Sequence, residues 1–168
     1  MKIELTEALE NDLETIKSIY DYYILNSTSS FFTDRVSTDE LKSFIRIGHP
    51  KYQSFMIKSE GQVYGFCYLS QFNKRQAYDR TAEISLYLKQ EFTGKGIGKE
   101  VIGRLEEIAR ENGISVLIAG ITAENTQSIA VFKKCGFEEC AHYRKVGEKF
   151  NRILDVLAFQ KFIKPESP

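Results

Sequence analysis

The sequence lacks any apolar run near the roughly 20 residues that cross a bilayer, so no membrane span is expected. It lacks a surplus of either charge: 23 Lys and Arg residues stand against 23 Asp and Glu. Nucleic acid selects a basic excess, so it is not expected as a partner. A local basic pocket for one small phosphate ligand stays open. Cysteine is sparse, and Cys67, Cys135 and Cys140 form an odd set without framework spacing. That fits a reducing cytosol. Met1-Lys2-Ile3-Glu4-Leu5 has no apolar signal-peptide core, and a cytoplasmic location is the expectation. Repeats, low-complexity tracts and internal linkers are missing as well. One domain is expected over residues 1–163, with Lys164 to Pro168 as a frayed tail.

What is present reads as alternating strands and helices. Met1 to Leu9 can form a first strand. Asn11 with Glu14 has capping-box spacing ahead of Leu13, Ile16, Tyr20, Tyr23 and Ile24 at helical period. Ser37 with Glu40 repeats that spacing before Leu41, Phe44 and Ile45. Phe55-Met56-Ile57 and Val63 to Leu69, joined at Glu60-Gly61, read as a hairpin. Thr81 to Leu88 alternates Ala82, Ile84, Leu86 and Leu88 against Thr81, Glu83, Ser85 and Tyr87, so one side should face a core. Val101, Ile102, Leu105, Ile108 and Ala109 mark a helix stopped by Asn112-Gly113. Val116 to Ile121 is a continuous apolar run, as in a central strand. A short helix from about Thr126 to Gly136 and two strands, roughly Glu138 to Lys145 and Asn151 to Phe162, complete the chain. The expected class is α+β with α/β/α layers: a mixed sheet with helices on both faces.

Between strand and helix lies Thr93-Gly94-Lys95-Gly96-Ile97-Gly98-Lys99-Glu100. Glycines there let backbone N–H groups converge, and the helix start adds positive partial charge, so the loop suits a phosphate. Walker A spacing fails, because Gly94 and Gly98 enclose three residues and Glu100 follows Lys99. The dinucleotide pattern G-x-G-x-x-G fails too, since Lys99 or Val101 falls at its last position. The spacing that fits is Q/R-x-x-G-x-G/A, the pyrophosphate loop of the GNAT superfamily. Gly96 and Gly98 match, and Thr93 stands where glutamine or arginine is usual.

The match then widens. Ile19-Tyr20 with Ser27-Thr28 and Phe31, Ala77-Tyr78 followed by Thr81 to Leu88, and Gly94 to Gly98 are joined by Ala123-Glu124-Asn125, Ser128-Ile129-Ala130, Lys134-Cys135-Gly136-Phe137, Val146 to Phe150, Arg152 and Leu154-Asp155. In this order and spacing the chain resembles the phosphinothricin and methionine-sulfoximine acetyltransferase branch of GNAT. The resemblance implies a GNAT fold with a mostly antiparallel central sheet, acetyl-CoA as co-substrate, a small-molecule amine as acceptor and a homodimer. It implies backbone pairing of Leu86, Tyr87 and Leu88 with the pantetheine arm. It implies a pyrophosphate held by Gly94, Lys95, Gly96, Ile97, Gly98 and Lys99, and a cofactor hydrogen bond from Asn125. Glu83 would be the general base through water, and Phe31, Arg75, Tyr78 and Lys149 would line the acceptor pocket.

The chemistry agrees. Most amines are protonated at neutral pH and attack only when neutral, so a carboxylate near the reacting centre is useful. Glu83 sits in a half-apolar strand, where its pKa can rise. A backbone N–H on the Leu86–Leu88 strand could serve the oxyanion. A thiolate leaves without strong acid help, which matters because Phe132 stands where many relatives carry a tyrosine acid. Cys135, Cys140 and His142 match no zinc spacing, so no metal is expected. Phe32 replaces a common acidic residue, and Phe72 and Ile153 replace tryptophans, which reshapes the expected pocket. Other acceptors, namely a polyamine, an aminoglycoside or a protein N-terminus, are the alternatives, as is a non-catalytic acyl-CoA sensor. Balanced charge with Arg75 and Lys149 favours a small anionic acceptor.

Overall fold

Strand alternation on one side and helical periodicity on the other produce two apolar layers around one sheet. The computed structural model describes residues 1–164, so the expected tail lies outside the described residues from position 165 onward. The strands are β1 (Glu4–Glu7), β2 (Ser54–Ser59), β3 (Gln62–Gln71), β4 (Thr81–Leu88), β5 (Val116–Thr122), β6 (Glu138–Lys149) and β7 (Arg152–Phe162). Among the described residues they form a seven-stranded sheet in the order β1-β2-β3-β4-β5-β7-β6. Every neighbouring pair is antiparallel except β4 with β5.

The helices are α1 (Leu13–Asn26), α2 (Thr38–Leu41), α3 (Ile97–Glu111) and α4 (Thr126–Lys134). Helix α3 buries Val101, Ile102, Leu105 and Ala109 against Ile84, Leu88, Leu117 and Ala119. Each large aliphatic side chain so buried contributes about 1.5–3 kcal/mol. On the opposite face, α1 and α2 bury Ile16, Ile24 and Leu41 against Met56, Phe66 and Tyr68. The alternation along β4 therefore serves two cores, with Ile84 and Leu88 in one and Tyr87 packed against the other.

Three local expectations need correction. The Asn11–Glu14 box does not form. A 3-10 turn at Glu10–Asp12 precedes α1, and the Asp12 carboxylate accepts the Leu9 N–H at 2.9 Å instead. The first strand is confined to Glu4–Glu7, where β2 supplies its only ladder. Strand β6 runs on to Lys149, past a register shift between Tyr143 and Gly147. Phe150 and Asn151 form the turn, both at positive φ (54° and 55°), as a two-residue hairpin requires. Phenylalanine rarely takes that conformation, so the residue types hid the turn. The Ser37–Glu40 box forms as expected and starts α2.

Candidate active site

The parallel β4–β5 pair holds only over Thr81–Val116, Ala82–Leu117 and Glu83–Ile118. Beyond that point β4 stays with β3 as far as Leu88, while β5 stays with β7 as far as Thr122. The two strands diverge, leaving backbone edges of β4 and β5 without a strand partner. At Gly65 the approach of β3 to β4 is so close that a Cβ would lie 2.2 Å from the Tyr87 carbonyl oxygen. Glycine there lets β4 follow β3 away from β5.

The divergence opens a cleft of about 610 Å³ between the strands, α3 and α4. Its outer end is the glycine loop. Gly94 and Gly96 take positive φ (72° and 81°), and Gly96 caps α3. Left-handed residues in such a turn aim successive N–H groups at one point, and the first turn of α3 adds its unpaired N–H groups. Gly96 lines the cleft, and a Cβ on it would meet nothing within 4 Å. Lys99 lines the cleft, whereas the Lys95 ammonium sits 5.4 Å over the Phe92 ring. An unpaired strand edge continued by an N–H cradle fits a pantetheine arm ending in a pyrophosphate.

Leu86, Tyr87, Leu88, Gly94, Gly96, Ile97, Gly98, Lys99 and Asn125 all come together in this cleft. Phe132 lines it too, packed edge-on against Phe137. Asn125 caps α4, its Oδ1 accepting Ser128 N–H at 3.2 Å, while its Nδ2 donates to Ser29 Oγ at 3.1 Å.

Glu83 does not line this cleft. It lies on the face shared with Ser85 and Tyr87, opposite Ser70 in register. Ser85 and Tyr87, on the same face of β4 as Glu83, are among the residues that line the cleft. Glu83 is exposed as a residue, yet crowding around its carboxyl raises it above the ordinary glutamate range, with desolvation the sole cause. No cation compensates it. The carboxylate is therefore more basic than an ordinary one.

The four acceptor-pocket candidates are not gathered into the cleft. Arg75 and Tyr78 are exposed on the β3–β4 connection, where Tyr78 meets Phe72 edge-on at 5.9 Å. Phe31 is exposed on the α1–α2 segment. Lys149 is only 5% exposed, and its ammonium donates to the carbonyls of Ser27 (2.7 Å) and Ser30 (2.8 Å). His142, considered above as a ligand, instead pairs with Asp155 at 2.8 Å.

Sequence reading missed the segment Ser27–Ser30, which closes the inner end of the cleft. All four of its carbonyls are held. Lys149 takes two, Thr122 Oγ1 donates to Thr28 O at 3.2 Å, and Tyr87 OH donates to Ser29 O at 3.2 Å. Thr28 Oγ1 donates to Glu124 at 2.6 Å, and Arg152 grips Glu124 through two bonds of 2.7 and 3.0 Å. The Tyr23 hydroxyl donates to the Leu88 carbonyl. Serine and threonine in a polar loop carry no signal that distinguishes such a wall from ordinary solvent-facing loop.

An acetyltransferase (GNAT) domain family matches residues 5–158. The chain is 31% identical over 154 residues to the L-methionine sulfoximine/L-methionine sulfone acetyltransferase of Salmonella typhimurium, covering 89% of this chain and 88% of that protein. It is 28% identical to the L-amino acid N-acyltransferase MnaT of Escherichia coli, over 91% of this chain and 90% of that one. Among solved structures, a GNAT superfamily phosphinothricin acetyltransferase from Sinorhizobium meliloti in complex with acetyl-CoA superposes with a TM-score of 0.90. Identity there is 32%, over 96% of this chain and 89% of that chain.

Proposed function

The chain belongs to the acetyltransferase (GNAT) domain family, and from that premise we propose that its acceptor is the amine of a free amino acid or analogue. Phosphinothricin and methionine sulfoximine are examples of the class. The enzyme is an acetyl-CoA-dependent N-acetyltransferase. The observation that carries the reading is the diverged β4–β5 pair, with an N–H cradle at one end and an uncompensated carboxylate, Glu83, across from the other.

In this reading Leu86, Tyr87 and Leu88 present to the pantetheine arm the backbone edge that β5 leaves unpaired, and the Gly94–Lys99 loop binds the pyrophosphate. Glu83 takes the amine's proton through water, and a strand N–H stabilises the oxyanion. Phe31, Arg75 and Tyr78 form the rim that meets the acceptor. Lys149 shapes that side by fixing Ser27–Ser30, its remaining N–H being free for an acceptor carboxylate. The protein works in the cytoplasm as a homodimer, with neither nucleic acid nor membrane as partner. The acceptor class is supported by the relatives named above and by the balanced charge.

The test is a screen of amino acids and analogues with acetyl-CoA, following thiol release. Amino acids or their analogues should be turned over ahead of polyamines and aminoglycosides. Preference for a polycation would refute the acceptor class, and no turnover with any amine would point to a binding module.

A further inference from the structure

Ser29 stands beside Tyr87, which shares a face of β4 with Glu83. The residue lines the cleft. Its carbonyl is held by the hydroxyl of Tyr87, two positions along the face from Ser85 and four from Glu83. An arm anchored by its pyrophosphate at the glycine loop must bring its thioester to this end of the cleft, because the attacking amine loses its proton on the Glu83 side.

The hydrogen bonds around Ser29 leave its own hydroxyl proton without a partner. Ser128 N–H fixes the Asn125 side chain by donating to Oδ1, so the amide turns its NH2 end to Ser29 Oγ at 3.1 Å. Ser29 N–H donates to Ser27 Oγ at 3.0 Å, and Ser29 O accepts from Tyr87. The Ser29 hydroxyl proton has no partner among the described residues. Nearby, Tyr87 donates to Ser29 O, Thr122 to Thr28 O and Tyr23 to Leu88 O, and of the serines lining the cleft Ser29 is the one whose hydroxyl accepts from a side-chain amide. Phe132 offers no donor. A hydroxyl that accepts a hydrogen bond becomes the better donor, so Asn125 primes Ser29.

We propose that Ser29 is a further catalytic residue, whose hydroxyl donates a hydrogen bond to the CoA sulfur as it departs. The proposal rests on the acetyl-transfer reading above. The amine nitrogen forms the new bond to the acetyl carbon, and the carbon–sulfur bond breaks with its electron pair going to sulfur. The amine's proton goes to Glu83. Ser29 keeps its own proton and stabilises the thiolate through it. No alkoxide forms, so the high pKa of a serine hydroxyl is no obstacle. A hydrogen bond to a charged partner is of the strong kind, and its loss should slow turnover about tenfold to a hundredfold.

Binding measurements test this without relying on turnover. The thiol of CoA bound to the parent protein is titrated through the ultraviolet absorbance of the thiolate. It should ionise about one pH unit below that of free CoA. Ser29→Ala should abolish most of that shift, and Ser29→Thr, which keeps a hydroxyl, should retain it. Calorimetry with desulfo-CoA, which has no sulfur, should give equal affinity for parent and Ser29→Ala. A thiol that titrates in the bound parent as it does free overturns the role, as does equal weakening of CoA and desulfo-CoA by the substitution. The parent titration decides the matter even where Ser29→Ala does not fold. CoA bound with an unshifted thiol removes only Ser29, whereas no CoA binding at all removes the acetyl-transfer reading with it.

Discussion

Glu83 shows how much a residue owes to its surroundings. Its neighbours on the same face, Ser85 and Tyr87, are neutral, and desolvation raises its carboxyl above the usual value of about 4.3. Catalysis needs the ionised form, so kcat/KM should fall as pH drops through this raised value, earlier than for an ordinary glutamate. Glu83→Gln should remove that acidic limb and lower turnover by about a hundredfold or more. Residual activity should climb with pH as the acceptor amine becomes neutral, while acetyl-CoA affinity stays near the parent's. A pH–rate profile of both proteins with one acceptor checks this, and unchanged turnover would remove Glu83 from the mechanism. Linkage adds a second readout. A carboxyl with a raised folded pKa binds its proton more tightly in the folded than in the unfolded state. Ionisation therefore costs stability above the unfolded pKa. Thermal unfolding at neutral pH should show Glu83→Gln equal to or more stable than the parent.

At the scale of elements, two glycines make the cleft for different reasons. Gly96 caps α3 at positive φ and lines the cleft. A Gly96→Val side chain would be strained at that φ and would stand in the path of the pyrophosphate. Calorimetry should show acetyl-CoA affinity lost in a protein that still folds, and equal affinity would refute the phosphate-loop assignment. Gly65 acts through the sheet. Its missing Cβ lets β3 close on Tyr87 and Leu88. Gly65→Ala should push β4 back towards β5, costing about 1–3 kcal/mol of stability by overpacking. Acetyl-CoA affinity should fall as well, although Gly65 does not line the cleft. Chemical denaturation together with calorimetry on one preparation measures both, and full affinity in a destabilised variant would separate the β3 contact from cleft shape.

For the whole molecule, the exposed Tyr143, Val146 and Ile153 on the β6–β7 hairpin offer apolar surface for the expected pairing. Light scattering at micromolar concentration should give twice the chain mass, and a stable monomer would defeat the expectation. Much of the architecture was legible because its causes are local. The apolar run of β5 marked a strand, although only its side with Leu117, Ala119 and Ile121 is buried along its length. Glu60-Gly61 marked a hairpin, and Gly94 to Gly98 marked a glycine turn ahead of a helix, a local feature that needs no distant partner. The wall Ser27–Ser30 was not legible, because Lys149 and Thr122, which hold it, lie 122 and 94 positions away in the chain. Composition likewise could not reveal that Lys149 spends its charge inside the protein. The divergence of β4 from β5 is of the same kind. Each strand's sequence specifies alternation and burial, and so determines that a strand forms. Where two strands part depends on which neighbour each follows, β3 for one and β7 for the other. Sequence alone therefore determined the parts and the glycine loop that starts α3. Only tertiary structure decided the cleft, since a gap between two strands is a property of their partners and of neither strand.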